Sequence, residues 1–208
     1  IVGLGGSATT DGGLGALRAI RAPVRLRAVE LLVACDVTTR FVDAAAVFGP
    51  QKGASPAQVR MLTGRLEQLA DQYRQEFGVD VTAIPGSGAA GGIAGMLAAL
   101  GGRLLPGFEL VADEVGLYDA VDGADLLITG EGHLDRQSFE GKVVGGVAAI
   151  AEQHGLPVGA LVGIADDDVR DRLPTVAIAD EFGLYRALRE PLWCIERATH
   201  QLLSFMSR

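Results

Sequence analysis

Downstream of residue 124, short apolar runs alternate with helical patterns, and this alternation constrains the fold more than any other feature. Runs at 125–129, 158–162 and 175–179 read as strands, with helices at 142–154 and 167–172 between them. Apolar runs of this length suit strands buried in a sheet. Strands separated by helices imply parallel βαβ units with right-handed crossovers. Composition agrees: hydrophobic residues make up 49%, aromatics only 5%, and there are 29 glycines among 208 residues. Ala, Val, Leu and Gly in that proportion suit an α/β protein with tight strand-to-helix turns. The length allows one large domain or two small ones, either with a substantial core.

The first half is less regular. Residues 1–5 read as a short strand, 13–20 as a helix, 29–34 as a strand, 79–84 and 108–115 as further strands, and 89–100 as a helix rich in small residues. The clearest helix spans 56–77. Ser55 is its N-cap, Pro56 its first residue, and Gln58 completes a capping box. Val59, Leu62, Leu66, Leu69, Tyr73 and Phe77 form one apolar stripe, and Gly78 marks the stop. A final helix begins near Pro191 and is predicted to bury Leu192, Ile195, Leu202 and Phe205. The change of pattern near 123 predicts a domain division there. The chain begins at Ile1, in mid-motif, and reads as part of a longer protein.

The formal charge of −8 argues against a nucleic-acid surface. Cys35 and Cys194 form no metal or disulfide pattern, and His133, His154 and His200 are scattered. No apolar run reaches membrane-spanning length and no signal peptide is visible, so a cytoplasmic enzyme is the expectation.

Only two lysines occur, Lys52 and Lys142, both beside glycine; the other sixteen basic residues are arginine. Lysine is a compact point charge, and glycine lets backbone and ammonium approach a ligand closely. Lys142 closes the segment Ile128-Thr129-Gly130-Glu131-Gly132-His133-Leu134-Asp135-Arg136-Gln137-Ser138-Phe139-Glu140-Gly141-Lys142. This reads as a strand ending in a polar, glycine-punctuated loop that feeds a helix. Ligands collect at such strand ends, and a helix N-terminus offers free N–H groups to an anion. Glu131 and Asp135 supply carboxylates for a divalent cation or a proton. The segment is not a Walker A loop.

Four other segments stand out. Gly3 to Gly13, containing Ser7, Thr9 and Asp11, could cradle an anion or form an ordinary capped turn. Asp36 ends a strand, where it could face a ligand or cap the next turn. Lys52 precedes the capped helix, open to phosphate, carboxylate or solvent. Gly86-Ser87-Gly88-Ala89-Ala90-Gly91 matches GxGxxG, but Pro85 stands where a dinucleotide site needs a buried strand.

Taken in order, these segments resemble the bacterial type 1 glycerate kinase family. Its pattern reads roughly GIGGSATNDGG, CDV, VFGPQKGA, PGAGAAGG and ITGEGxxDxQTxxGK. The counterparts here are residues 3–13, 35–37, 47–54, 85–92 and 128–142, so the likeness covers nearly the whole chain. The resemblance implies a two-domain α/β fold: a Rossmann-like parallel-sheet domain, incomplete here, and a second α/β domain inserted in it. Residues 1–123 would be the inserted domain with its glycine-rich substrate loops, and 124–208 the C-terminal part of the Rossmann-like domain. It also implies ATP- and Mg²⁺-dependent phosphorylation of D-glycerate, with position 2 favoured. Its partners would be glycerate and ATP, with no nucleic acid and no membrane; a homodimer stays open.

On that reading Asp36, Asp135 and Lys142 are catalytic. Ser7, Thr9, Asp11, Lys52, Gly86, Ser87 and Gly88 bind substrate. Thr129, Gly130, Glu131, Gly132, Gln137 and Gly141 bind nucleotide, and Glu131 and Asp135 hold the metal. The chain departs from the family in three respects. The family's opening APDSFKG and ADGGEG motifs, which would help build the active site, are absent, which leaves open whether this chain is active alone. The link through 21–28 is short. Thr38-Thr39-Arg40-Phe41 replaces an NPL stretch, and Ser138 stands where Thr is common. An NAD(P)-dependent oxidoreductase and a non-catalytic sugar-acid-binding module are the alternatives.

Overall fold

The helix expected over 56–77 forms with those bounds and organises everything before it. In the computed structural model, which describes residues 1–206, Ser55 Oγ accepts from Gln58 N–H while the Gln58 side chain accepts from Ser55 N–H. At the other end Gly78 turns left-handed and donates to the Arg74 carbonyl. Leu66, Leu69, Ala70, Tyr73 and Phe77 are buried, with Leu62 partly covered. The chain divides into two compact units, Ile1–Leu110 and Val111–Arg208.

The first unit carries β1 (Val2–Gly3), α1 (Leu14–Ala19), β2 (Leu32–Ala34), α2 (Ala44–Phe48), α3 (Pro56–Phe77), α4 (Ile93–Ala99), β3 (Arg103–Leu105) and the start of α5 (Gly107–Glu114). Its three strands run parallel in the order β1-β2-β3, with Val2 opposite Val33 and Leu32 opposite Arg103. The core gathers Val33, Phe41, Tyr73, Val81, Met96 and Leu100 around α3. Tyr73 lies at its centre. It stacks edge-on against Phe41, and its hydroxyl donates to the Gly12 carbonyl at 2.9 Å.

Three expectations for this unit are corrected. Residues 79–84 form no strand, because the Asp80 carboxylate accepts from both Thr82 N–H and Thr82 Oγ1 and closes a 3₁₀ turn over Val81–Ala83. The helix expected from 89 begins only at Ile93. Ala90, Gly91 and Gly92 have φ of 53°, 71° and 97°, which no α-helix accommodates. Residues 108–115 are not a strand either. Alternating burial at Leu110, Val111 and Ala112 imitates a two-residue period, but the strand is β3, before Pro106. Proline has no N–H to extend the ladder, and its carbonyl accepts the helical bond from Leu110 N–H.

The second unit holds α6 (Leu117–Val121), β4 (Leu127–Leu134), α7 (Val143–His154), β5 (Val158–Ala165), β6 (Thr175–Ala177), α8 (Ile178–Phe182), α9 (Leu184–Arg189) and α10 (Pro191–Met206). Its sheet is also parallel, in the order β4-β5-β6. β4 outruns its expected end at 129, and Gly130 to Leu134 is strand rather than loop, paired with β5 as far as Leu134 opposite Ala165. Glycine permits this: a Cβ on Gly130 would lie 2.2 Å from the Leu161 carbonyl oxygen. Residues 167–172 form turns instead of a helix, and the strand expected to 179 yields to α8 at Ile178. On α10 Leu202 is buried, but Leu192, Ile195 and Phe205 are exposed at 82%, 41% and 67%. The buried stripe is Cys194, Ala198 and Leu202, whose small members let the helix approach the sheet. Leu202 then fills the space over Gly159.

Replacing Tyr73 by Phe strips the buried Gly12 carbonyl of its donor. A loss of about 1–3 kcal/mol is expected, read as a lowered urea midpoint of unfolding.

Candidate active site

Parallel strands with their carboxyl ends together make a natural ligand crevice. In the first unit, the segments leaving β1 and β2 border a cavity of about 260 Å³, small enough for a compact polar molecule. Gly5, Gly6 and Ser7 come from the first, Cys35 and Asp36 from the second. Lys52 enters from the 3₁₀ turn Pro50–Lys52, and Ala89 and Ala90 close the wall.

Lys52 is tightly held. Its Nζ donates to Ser7 Oγ at 2.8 Å and to the Thr9 carbonyl at 2.6 Å. An ammonium has three donors, so one is left for a ligand. Desolvation lowers its pKa below the ordinary lysine value. Asp36 Oδ1 accepts from Gly107 N–H at 2.6 Å. Burial pushes the Cys35 thiol up, and the Asp36 charge adds to this, against a backbone hydrogen bond at Val37 that works the other way. A thiol so placed stays protonated near neutral pH and is no nucleophile.

Of the substrate-binding residues expected from sequence, Ser7 and Lys52 meet here, joined by Asp36, and Thr9 contributes its main-chain oxygen. Asp11 does not join them. Its carboxylate accepts from Gly13 N–H and Gly15 N–H and caps α1. Gly86, Ser87 and Gly88 are buried behind the wall. A Cβ on Gly86 would lie 2.8 Å from the Val37 carbonyl oxygen, and one on Gly88 2.3 Å from that of Arg40. The Ser87 hydroxyl is buried without a hydrogen-bond partner among the described residues. The GxGxxG match follows a 3₁₀ turn, not a buried strand, so it lacks the setting of a dinucleotide fingerprint.

The second unit holds the other constellation. Thr129 and Glu131 stand two residues apart on β4 and so share a face. Thr129 Oγ1 and Glu131 Oε1 are both buried without a hydrogen-bond partner among the described residues. Beyond the strand, Asp135 Oδ1 accepts from Ser138 N–H and Oγ–H, a capping box for the 3₁₀ turn Arg136–Phe139. Desolvation works to raise the Asp135 pKa, but the Ser138 bonds and the Lys142 charge outweigh it and hold the carboxyl below its usual range. Lys142 is the N-cap residue of α7, and its Nζ lies 3.4 Å from Gln137 Oε1. Gly141, at φ 81°, makes the turn before it. Gly132 faces open space, with nothing within 4 Å of where a Cβ would stand.

Carboxylate oxygens suit a hard cation, and Glu131 Oε1 is a buried acceptor with no donor among the described residues. No cluster of three or more His, Cys, Asp or Glu able to hold a metal occurs among the described residues. A single carboxylate such as that of Glu131 is still the kind of ligand Mg²⁺ takes, since that ion commonly binds one or two carboxylates and fills its shell with phosphate oxygens and water.

Two features escaped the sequence reading. His133 Nε2 lies 2.8 Å from Asp166 Oδ1, a bond that raises the imidazole pKa against desolvation. The register of β4 on β5 brings this pair together, and no local pattern announces it. Ala90, in the cavity wall, is the one non-glycine residue with positive φ among those described. Alanine gives no sequence signal for such a conformation.

Among known proteins, the family model described as the glycerate kinase family matches residues 20–208. A glycerate kinase of Halalkalibacterium halodurans is 40% identical over 195 residues, covering 78% of this chain and 51% of that protein. A glycerate 2-kinase of Escherichia coli K12 is 38% identical over 201 residues, covering 81% and 53%. The crystal structure of a Salmonella typhimurium LT2 protein assigned as glycerate kinase 2 superimposes with a TM-score of 0.74 at 31% identity, covering 98% of this chain and 63% of that one. The chain spans about half the length of the curated relatives it matches.

Left-handed backbone costs a residue with a Cβ roughly 1–2 kcal/mol, and glycine adopts it freely. Ala90→Gly is therefore expected to raise stability by up to about 1 kcal/mol in urea unfolding, part of the gain being offset by the entropy of the unfolded chain.

Proposed function

The chain belongs to the glycerate kinase family, and from that premise we propose that its protein transfers the γ-phosphoryl group of ATP to a hydroxyl of D-glycerate. The name of the Escherichia coli relative, glycerate 2-kinase, favours the 2-hydroxyl. One observation carries the reading: a lysine ammonium, pinned by Ser7 Oγ and the Thr9 carbonyl, shares a 260 Å³ cavity with the Asp36 carboxylate. That pairing suits a small hydroxy acid, with the cation for the carboxylate and the anion for the hydroxyl.

Phosphoryl transfer asks mainly for positioning and charge neutralisation. Lys52, Ser7 and the amides of Gly5 and Gly6 hold the substrate carboxylate. Asp36 orients the attacking hydroxyl and accepts its proton as the new O–P bond forms and the bond to the ADP oxygen breaks. Asp135, whose carboxyl is held below its usual range, serves the metal instead. Lys142, with the free N–H groups at the start of α7, binds phosphate oxygens. Gly132 leaves open space for the phosphates, and Thr129, Gly130, Gln137 and Gly141 complete the nucleotide contacts. Glu131 and Asp135 would hold Mg²⁺, which neutralises phosphate charge when bound. Asp11, Gly86, Ser87 and Gly88 act on the substrate site indirectly, by fixing the loops that border it.

Residues 1–123 as the inserted domain and 124–208 as part of the Rossmann-like domain belong to the same reading, as does a cytoplasmic location. No helix among the described residues is long and apolar enough to cross a membrane.

A coupled assay of ADP release, with and without D-glycerate, tests the activity; ATP turnover that ignores glycerate would sink it. Lys142→Ala should lower kcat by about a hundredfold, the scale for removing a transition-state charge contact. Lys52→Ala should raise the KM for glycerate at least about tenfold, as losing a charge-assisted hydrogen bond does. Because desolvation lowers the Lys52 pKa, its cation is lost earlier than in free lysine. KM should therefore start to climb at a pH below the ordinary 10.5. Lys52→Arg, charged throughout, should show no such climb.

A further inference from the structure

Gly107 lies 71 residues from Asp36 in sequence, yet its N–H donates to Asp36 Oδ1 at 2.6 Å. Its own geometry gives no backbone reason for glycine. Its φ lies outside the left-handed region, and as the first residue of α5 it stands where alanine would form helix more readily. What requires glycine is the carboxylate. A Cβ at 107 would lie 2.9 Å from Asp36 Oδ1, 3.0 Å from Oδ2 and 3.2 Å from Cγ. Contacts this short oblige the Asp36 side chain to move. The start of α5 also favours a negative charge through its free N–H groups. The missing side chain and the amide thus act on one group: the first leaves room for the carboxylate, and the second holds it at the cavity beside Ser7 and Lys52.

We propose that Gly107 is a positioning residue for the reaction, its bare Cα and amide together setting the Asp36 carboxylate in the geometry that takes the substrate proton. The inference rests on the kinase reading and on the role given there to Asp36. It predicts that activity and stability part company at this position. A residue needed only for folding would lose both together.

The test is Gly107→Ala, with steady-state kinetics in glycerate and ATP and a thermal unfolding midpoint. A kcat lowered at least about tenfold, with an unchanged KM for ATP and a midpoint equal to or above wild type, is the expected result. A double-mutant cycle then asks whether the effect passes through Asp36. Once Asp36→Ala is present, adding Gly107→Ala should change kcat no further. An unchanged kcat in Gly107→Ala, a midpoint that falls together with kcat, or losses that multiply in the double variant would each overturn the proposal while leaving the kinase reading intact. A wild-type protein that does not phosphorylate glycerate would overturn both, and is told apart because it fails before any variant is made.

Discussion

The first unit depends on main chain touching main chain. Three stretches, at 9–12, 37–40 and 86–92, meet with almost no side chain between them. A Cβ on Gly91 would lie 2.0 Å from the Thr9 carbonyl oxygen, and one on Gly92 2.7 Å from Gly12 Cα. Gly12 N–H donates to the Gly91 carbonyl, and Gly88 N–H to that of Thr39. Buried peptide groups must find partners, and here the loops supply them to one another. Tyr73 completes the arrangement from α3 by donating to the Gly12 carbonyl.

The cavity beside Ser7, Asp36 and Lys52 follows from this contact. Because the 86–92 loop lies flat against its neighbours, Ala89 and Ala90 close one wall, and Ala90 is held at φ 53°. Strain of that kind persists only where the surroundings over-determine it. Lys52 reaches back to Ser7 and to Thr9, which opens the first of the three stretches, so the ammonium that would greet an acid belongs to the same network. Asp36 is fixed from the side of α5. The charged groups of the cavity thus face it already oriented, which lowers the cost of organising them when a ligand arrives.

In the second unit, strand register performs the corresponding task. Pairing β4 with β5 as far as Leu134 carries Thr129 and Glu131 on one face. It sets Asp135 where it caps the 3₁₀ turn before Lys142. A loop at 130–134, as the local pattern suggested, would have left these groups without a fixed spacing. Glycines misled that reading. In isolation they look like turn residues, but at Gly130 and Gly163 they allow close passage beside a neighbouring carbonyl.

Much of the fold is legible in the sequence. The capped helix at 56–77, the parallel strands joined by helices, and the segments bearing Lys52 and Lys142 all follow from local rules: capping chemistry, apolar period and residue type. The errors share one cause. At 79–84, 89–92, 108–115 and along α10, the deciding partners were an Asp80 side chain, a distant carbonyl, a proline at a strand end, or a sheet surface. Asp36 finds its main-chain partner in Gly107, 71 positions away, where no local pattern points. The sequence alone determined the capped helix at 56–77, the alternation of parallel strands with helices, and which residues carry charge near their ends, because those choices depend on neighbours within a few residues. Tertiary structure alone decided which of those charges share a cavity and which merely cap a turn, because that depends on distances set by chain segments far apart in sequence.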